Sequence, residues 1–406
     1  MEYFNVPGVA QTLAITHEKT LKPTQSKKLL YILNHLDWSW PQRLPLFLGA
    51  QKRGLDVSIA LHGAAQNELL KNNNLRGLDI APAIQKAGLK NMLQIIRSAV
   101  EIIQTEKPDL IHTITLKYAF LIGLAARLVR LETDHEIRCI YTIAGLGYLF
   151  SDEGLKPKIL RLIVRPLLKL ALDAPGTHLI FQNPDDKNHM IDQGFARAEN
   201  CHLIYGSGVD LKRFPATPLP SNETPVILMP TRLLHQKGIS IFIKAARLLH
   251  KKGVNARFQL AGGLTHNNPL AITREELDTM LMDSPVEWLG KVEDMPALYQ
   301  NVSLICYPSY YREGIPRILL EAAASARPVI TTDHPGCREG VREGKNGLLI
   351  PIKDAQALAN AIEALINNPQ KMAEMALEAR KLAEDIFAMD KIVEQTLDVY
   401  ESAQKV

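Results

Sequence analysis

Cysteine is scarce and scattered: Cys139, Cys201, Cys306 and Cys337 are the four in 406 residues, with no C-x-x-C pair and no His/Cys cluster. That excludes a disulfide framework and a structural zinc site, and it fits a reducing compartment. Long apolar runs are lacking too. The most apolar stretch, residues 118–129, is about half a membrane span and contains Arg127, so it predicts a buried helix. The opening MEYFNVPGVAQTLAITHEKT has neither the basic start nor the continuous apolar segment of a secretory signal, which sets the expectation of a cytoplasmic protein. Charge of one sign is not in excess, and a net +4 does not argue for a nucleic-acid partner. Asp185 and Asp186 are adjacent but lack companion ligands. They are expected in a turn or cap, and no metal site is predicted.

A chain of 406 residues exceeds the ~250 to 300 at which a single core stops growing, so two domains are expected. With 46% apolar and 22% charged residues the composition is that of an ordinary globular protein. LLYILNHL reads as a strand, RLPLFLGAQKRG as a helix stopped at Gly54, and VSIALH as a second strand. The alternation continues with a helix over 91–107, a strand at DLIHTIT, a helix over 119–129 and a strand at IRCIYTI. After Asp210, RFPATPLPSNETP is a proline-rich polar connector, and the boundary is placed beside it, between units 1–206 and 207–385. Beyond it PVILMPTRL, ARFQLAGG, VEWLG, SLICYPS and PVITTD read as strands with helices between. The predicted class is α/β: two Rossmann-like, doubly wound parallel sheets facing a cleft, with ligands at the carboxyl ends of the strands. Helices over 354–367 and 370–385 belong to the scaffold, and the segment 386–406 is expected to pack back on the first domain.

The densest signal is SYYREGIPRILLEAAASARPVITTD, where a strand end meets Glu313, then Gly314 and a proline, Pro316, at the first helical position. A helix starting beside a ligand offers unpaired N–H groups and a positive dipole end to a diphosphate or to sugar oxygens. Glu313 would stand on the loop above the cleft. Glu321, about two helical turns further on, would accept hydrogen bonds from a diol. A bare Glu-x7-Glu is usually two solvated acids, and the flanking strand and GIPR favour a site. In TRLLHQKG, Arg232 and Lys237 stand on a strand-end loop before a helix, where two cations can neutralise a diphosphate. His112, on a buried strand pattern, is expected to be a core or hydrogen-bonding residue, while Asn183 and Asp185 are candidates to line the cleft. GLKPKILRLIVRPLLKLAL spaces Lys158, Arg161, Arg165 and Lys169 by three and four, a basic stripe on an apolar helix that Pro166 should kink or shorten. Such a face suits an anionic lipid surface as well as plain solvation.

These residues together resemble glycosyltransferase family 4. Glu313 to Glu321 matches its Glu, seven residues, Glu motif, and Arg232 with Lys237 its Arg/Lys pair. YGSGVDLKRF, with Gly206, Gly208 and Asp210, is similar to its inter-domain segment, and HPGCREGVREGKNGLLIP to its ending. In VEWLGKVED the backbone at Lys291 and Val292 is placed against the base. IYTIAGLGYLF and FQNPDD are similar to members that build bacterial surface polysaccharides.

The resemblance implies a GT-B fold and a retaining glycosyltransferase, hexosyl- or N-acetylhexosaminyl-transferring, with Glu313, Arg232 and Lys237 catalytic. Donor contacts would come from Arg232, Lys237, Lys291, Val292, Glu313, Gly314, Ile315, Pro316, Arg317 and Glu321. It implies no cofactor and no metal, a nucleotide-sugar donor with UDP ahead of GDP, and a glycan or polyprenyl-linked saccharide acceptor in surface polysaccharide or lipopolysaccharide synthesis. Peripheral contact with the cytoplasmic membrane face, through the basic stripe, goes with such an acceptor. Two departures concern the acceptor side: Ala144 stands where many members have histidine before GLG, and NHLDWSW replaces a glycine-rich loop. The rival readings are a sugar-nucleotide epimerase of the same fold and a non-catalytic nucleotide-sugar-binding subunit.

Overall fold

The computed structural model describes residues 26–34, 40–82, 88–147, 150, 155–221, 224–265, 268 and 270–405. The first half runs β1 (Lys28–Ile32), α1 (Trp40–Lys52), β2 (Asp56–Leu61), α2 (Glu68–Asn72), β3 (Arg76–Asp79), α3 (Leu89–Glu106) and β4 (Leu110–Ile114). It continues with α4 (Leu116–Glu132), β5 (Arg138–Ile143), α5 (Leu155–Leu172), β6 (Thr177–Phe181), α6 (Pro184–Asp192) and β7 (Cys201–Leu203). The second half comprises β8 (Val226–Pro230), α7 (Ile239–Lys251), β9 (Arg257–Ala261), α8 (Arg274–Leu281), β10 (Val286–Trp288) and α9 (Met295–Gln300). Then follow β11 (Leu304–Tyr307), α10 (Arg317–Ala324), β12 (Val329–Thr332), β13 (Gly347–Ile350), α11 (Ala355–Ile366), α12 (Pro369–Leu382) and α13 (Met389–Ala403).

The strands form two all-parallel sheets, ordered β3-β2-β1-β4-β5-β6-β7 and β10-β9-β8-β11-β12-β13. Each reverses its winding direction once, between β1 and β4 and between β8 and β11, and crevices at such reversals bind ligands. Helices cover both faces, as all-parallel sheets require. The two-residue period of β1 shows it: Leu30 and Ile32 enter the core that includes α3 and α4, whereas Leu29 and Tyr31 enter the one that includes α1 and α13. β8 divides likewise, Ile227 and Met229 against Val226 and Leu228.

The last helix lies against the first sheet although it follows the second. Tyr400 of α13 joins Tyr31 Oη at 2.7 Å and His112 Nδ1 at 2.5 Å, and His112 Nε2 lies 2.8 Å from Thr142. Burial lowers the His112 pKa to about 3, so its ring is neutral at physiological pH. The two chain crossings run side by side: Val209 N–H donates to Phe387 O, and Met389 N–H donates to Val209 O. The connector is tied to the second sheet by Arg327, whose fully buried guanidinium donates to the carbonyls of Thr217, Pro218, Tyr299 and Gln300.

Three expectations are corrected. Pro316 is the N-cap of α10 with extended backbone (ψ 130°), and the helix begins at Arg317. Residues 314–316 are therefore not helical, and Glu321 stands one turn into α10 rather than two turns from Glu313. Pro166 does not shorten its helix, since α5 continues from Leu155 to Leu172 with the proline inside. The predicted strands omit β13, which lies within HPGCREGVREGKNGLLIP.

Candidate active site

Lys237 is brought to the end of β11 by backbone geometry. The loop after β8 closes with a single 3-10 turn, His235–Lys237, capped by Gly238 at φ +83°. A Cβ on Gly238 would stand 2.1 Å from Pro308 O, so only glycine permits this approach. Lys237 is 3% exposed. A lysine at that depth needs a counter-charge, and it has one: Nζ donates to Glu313 Oε1 and, at 2.7 Å, to Tyr307 Oη. The Tyr307 hydroxyl donates in turn to the same Oε1 at 2.8 Å. Burial, and then the Glu313 charge, raise the Tyr307 pKa well above that of a free phenol, keeping it a neutral donor. Nζ also lies 5.4 and 5.3 Å from the ring centres of Tyr307 and Tyr311. Among the described residues both bonds to the Glu313 carboxylate fall on Oε1, which leaves Oε2 for a ligand.

The Glu313 backbone is held from both domains. Gly145, at φ +96° after β5, packs so closely that a Cβ there would lie 2.5 Å from Glu313 Cα. A Cβ on Gly314 would lie 1.9 Å from Gln182 Oε1, and one on Gly336 would lie 2.3 Å from the carbonyls of Glu313 and Gly314. Asn183 is the N-cap of α6, accepting from Asp186 N–H, and Asp186 is fully buried against Arg312 Nε at 2.7 Å. Asp185 meets Arg338 at 3.4 Å. Glu339, accepting from Gly336 N–H, is raised by burial to about 7.

On α10, Glu321 is 9% exposed and accepts from Arg317 at 2.8 Å and from the Tyr299 hydroxyl at 3.4 Å. Burial raises its pKa, with the Arg317 and Arg213 charges opposing. Gly314, Ile315 and Pro316 are buried, lining the turn between the two acids. Arg232 is exposed on the Lys237 loop, its charge reaching Tyr311. Val292 packs against the core under α10, and Lys291 lies further out, paired with Glu293 at 2.6 Å.

The structure thus gathers Lys237, Glu313, Gly314, Ile315, Pro316, Arg317 and Glu321 at the carboxyl ends of β8 and β11, with Arg232 at the rim. Tyr307 and Arg312 belong to the same site and were not singled out by sequence, and Asp186, expected only in a turn or cap, joins them. Tyr307 carried one usable signal, a phenol at the last strand position before the motif. The basic stripe lies apart on α5. There Arg165 donates to Gln193 O and stands over Phe195, while Lys169 is exposed. Arg161 is half-buried, its charge reaching His189. The side chain of Lys158 and most of NHLDWSW lie outside the described residues. Among the described residues no group of acids, histidines and cysteines could hold a metal, and no helix is long and apolar enough to cross a membrane.

Two facing parallel sheets, with an acid and a lysine converging from the ends of two strands of the second, make the architecture of a GT-B glycosyltransferase. The family described as Glycosyl transferases group 1 matches residues 212–382, and the one described as Glycosyl transferase 4-like matches residues 28–183. The chain belongs to the family 4-like glycosyltransferases of GT-B fold. It is 28% identical to N,N'-diacetylbacillosaminyl-diphospho-undecaprenol alpha-1,3-N-acetylgalactosaminyltransferase of Campylobacter jejuni, over 65% of this chain and 70% of that protein. It is 26% identical to the capsular polysaccharide biosynthesis glycosyltransferase CapM of Staphylococcus aureus, over 89% and 95% respectively. Anabaena HepE, solved in complex with UDP, shares the fold with a TM-score of 0.73 at 22% identity, covering 92% of this chain and all of that one.

Proposed function

We propose that this glycosyltransferase moves a sugar, a hexose or N-acetylhexosamine, from a UDP-sugar to a hydroxyl of a lipid-linked saccharide in bacterial surface polysaccharide synthesis, with retention at the anomeric carbon. The observation that carries the reading is the Lys237–Glu313–Tyr307 cluster, which fixes one carboxylate oxygen and presents the other beside the start of α10. Oε2 of Glu313 takes donor-sugar hydroxyls near the reacting carbon, and Glu321 takes the ribose diol once Arg317 gives way. Arg232, Lys237 and the N–H groups at the start of α10 stabilise the diphosphate as charge develops on it. Lys291 and Val292 edge the base. The anomeric C–O bond to the diphosphate breaks as the acceptor oxygen bonds to that carbon, and the acceptor proton passes to the leaving oxygen on the same face. Ala144 is compatible with this route, because no protein base is required. The names of the Campylobacter and Staphylococcus relatives support the acceptor class and pathway.

Radiolabelled UDP-sugars incubated with the protein, with and without membrane lipid extract, test the reading. Label moving into lipid is the expected result. Isomerised nucleotide-sugar would establish the epimerase instead, and binding without turnover would establish a non-catalytic subunit.

A lipid-linked acceptor places the protein on the cytoplasmic membrane face, and α5 is the surface for it. Leu162, Leu167 and Leu170 are 73%, 47% and 40% exposed there, on the helix that carries Arg165 and Lys169. Reversing both cations removes roughly 1 kcal/mol of anionic-lipid attraction per charge. Co-sedimentation with phosphatidylglycerol vesicles should therefore fall in the Arg165→Glu, Lys169→Glu protein. Equal sedimentation of both proteins would assign the membrane contact elsewhere.

A further inference from the structure

Asp186 does more than begin a helix. Capping of α6 is completed by Asn183, whose Oδ1 accepts from Asp186 N–H at 2.7 Å; the Asp186 carboxylate is not needed for it. A carboxylate in a first helical turn gains from the dipole while remaining in water. This one is fully buried, and a buried carboxylate requires a counter-charge. That charge comes from the other domain: Arg312 Nε donates to Oδ1 at 2.7 Å, and Asn183 Nδ2 donates to Oδ2 at 3.0 Å. Arg312 is the residue before Glu313, and Asn183 Nδ2 is also within 3.5 Å of Glu313 O. Gly145 and Gln182, from the same domain as Asp186, close on the Glu313–Gly314 backbone at two further points.

We propose that Asp186 is a positioning residue that acts through Arg312, so that Glu313 reaches its working place only when the first domain is docked on the second. Lys237 and Tyr307 hold the Glu313 side chain from within the second domain, and the Asp186–Arg312 pair sets the path of the backbone that carries it. Domain closure and assembly of the donor site then become one event. The catalytic consequence rests on the donor-site reading of Glu313; the effect on the loop does not.

Hydrogen–deuterium exchange of the full-length, ligand-free chain tests the effect on the loop. In Asp186→Asn the amides of residues 311–315 should exchange at least roughly tenfold faster than in the wild type. Arg312→Gln, which breaks the pair from the other domain, should give the same local increase, and Asp185→Asn should not. Unchanged exchange over 311–315 in both pair-breaking variants overturns the proposal. So does an increase spread evenly over both sheets, which is loss of fold rather than of loop placement.

Where the wild type turns over a UDP-sugar, Asp186→Asn should lower kcat about tenfold or more while the Kd for UDP stays within about twofold. Equal losses in both overturn the positioning role. A wild type that neither binds UDP nor turns over a UDP-sugar removes the donor reading, and the exchange experiment still decides whether Asp186 places the loop.

Discussion

Lys237 and Glu313, 76 residues apart, meet in a charge-assisted bond between the loop after β8 and the loop after β11, with the Tyr307 hydroxyl bonded to both. The two loops leave adjacent strands on either side of the point where the second sheet reverses its winding. The pair is therefore a product of topology: any parallel sheet ordered this way brings those two strand ends together, and the residue types decide what happens there.

Lys237→Ala should damage both stability and binding. Removing one member of a fully buried ion pair costs about 3–5 kcal/mol. Glu313 retains some water contact at 21% side-chain exposure, so a loss nearer 2 kcal/mol is expected in urea denaturation. UDP affinity should fall as well. Tyr307→Phe removes one hydrogen bond to a carboxylate, worth about 1.5–3 kcal/mol. If that bond is held through the transition state, turnover falls about ten- to hundredfold with UDP affinity kept. Wild-type turnover in Tyr307→Phe would show that the phenol does not orient Glu313.

Gly145→Ala should leave a folded protein with little activity. A methyl group there meets the Glu313 backbone, and the φ of +96° is unfavourable for any L side chain. The loop must move, and a displacement of about 1 Å in a reacting group costs on the order of a hundredfold in rate. Turnover and thermal melting measured together check this; full activity would mean that the domains do not need this contact.

Glu339 makes a pH prediction. Its pKa is raised from 4.5 to about 7, chiefly by burial. A raised folded-state pKa means the native state binds the proton more tightly than the unfolded chain does, so this group's contribution is full below about 4.5 and is lost as pH rises through about 7. Glu339→Gln keeps an acceptor for Gly336 N–H and cannot ionise. Its urea midpoint should therefore fall less than that of the wild type as pH is raised from about 4.5 through about 7. Parallel curves would contradict the burial argument.

Much of this was legible in the sequence, and the misses have physical causes. Alternating helix and strand patterns gave the α/β class because buried parallel strands are largely apolar runs, as in VILMP. β3 was missed because RGLD is an edge strand with half-exposed side chains and no apolar run to mark it. Glu313, Glu321, Arg232 and Lys237 could be nominated as site candidates because motif spacing along the chain is local information. The Asp186–Arg312 pair spans 126 residues and two domains, so nothing near either residue announces the other. The proline of the GIPR segment was placed one residue too far into the helix, a boundary that depends on its ψ rather than its identity.

The most direct test of the account compares wild type and Glu313→Gln for transfer of label from a UDP-sugar to lipid-linked acceptor, with UDP affinity measured on the same samples. If Glu313 holds the donor sugar as proposed, losing its carboxylate should lower turnover by about 10²- to 10³-fold. The UDP affinity should stay within a few-fold, since Lys237, Arg232 and the start of α10 are intact. Wild-type turnover in Glu313→Gln would contradict the central claim.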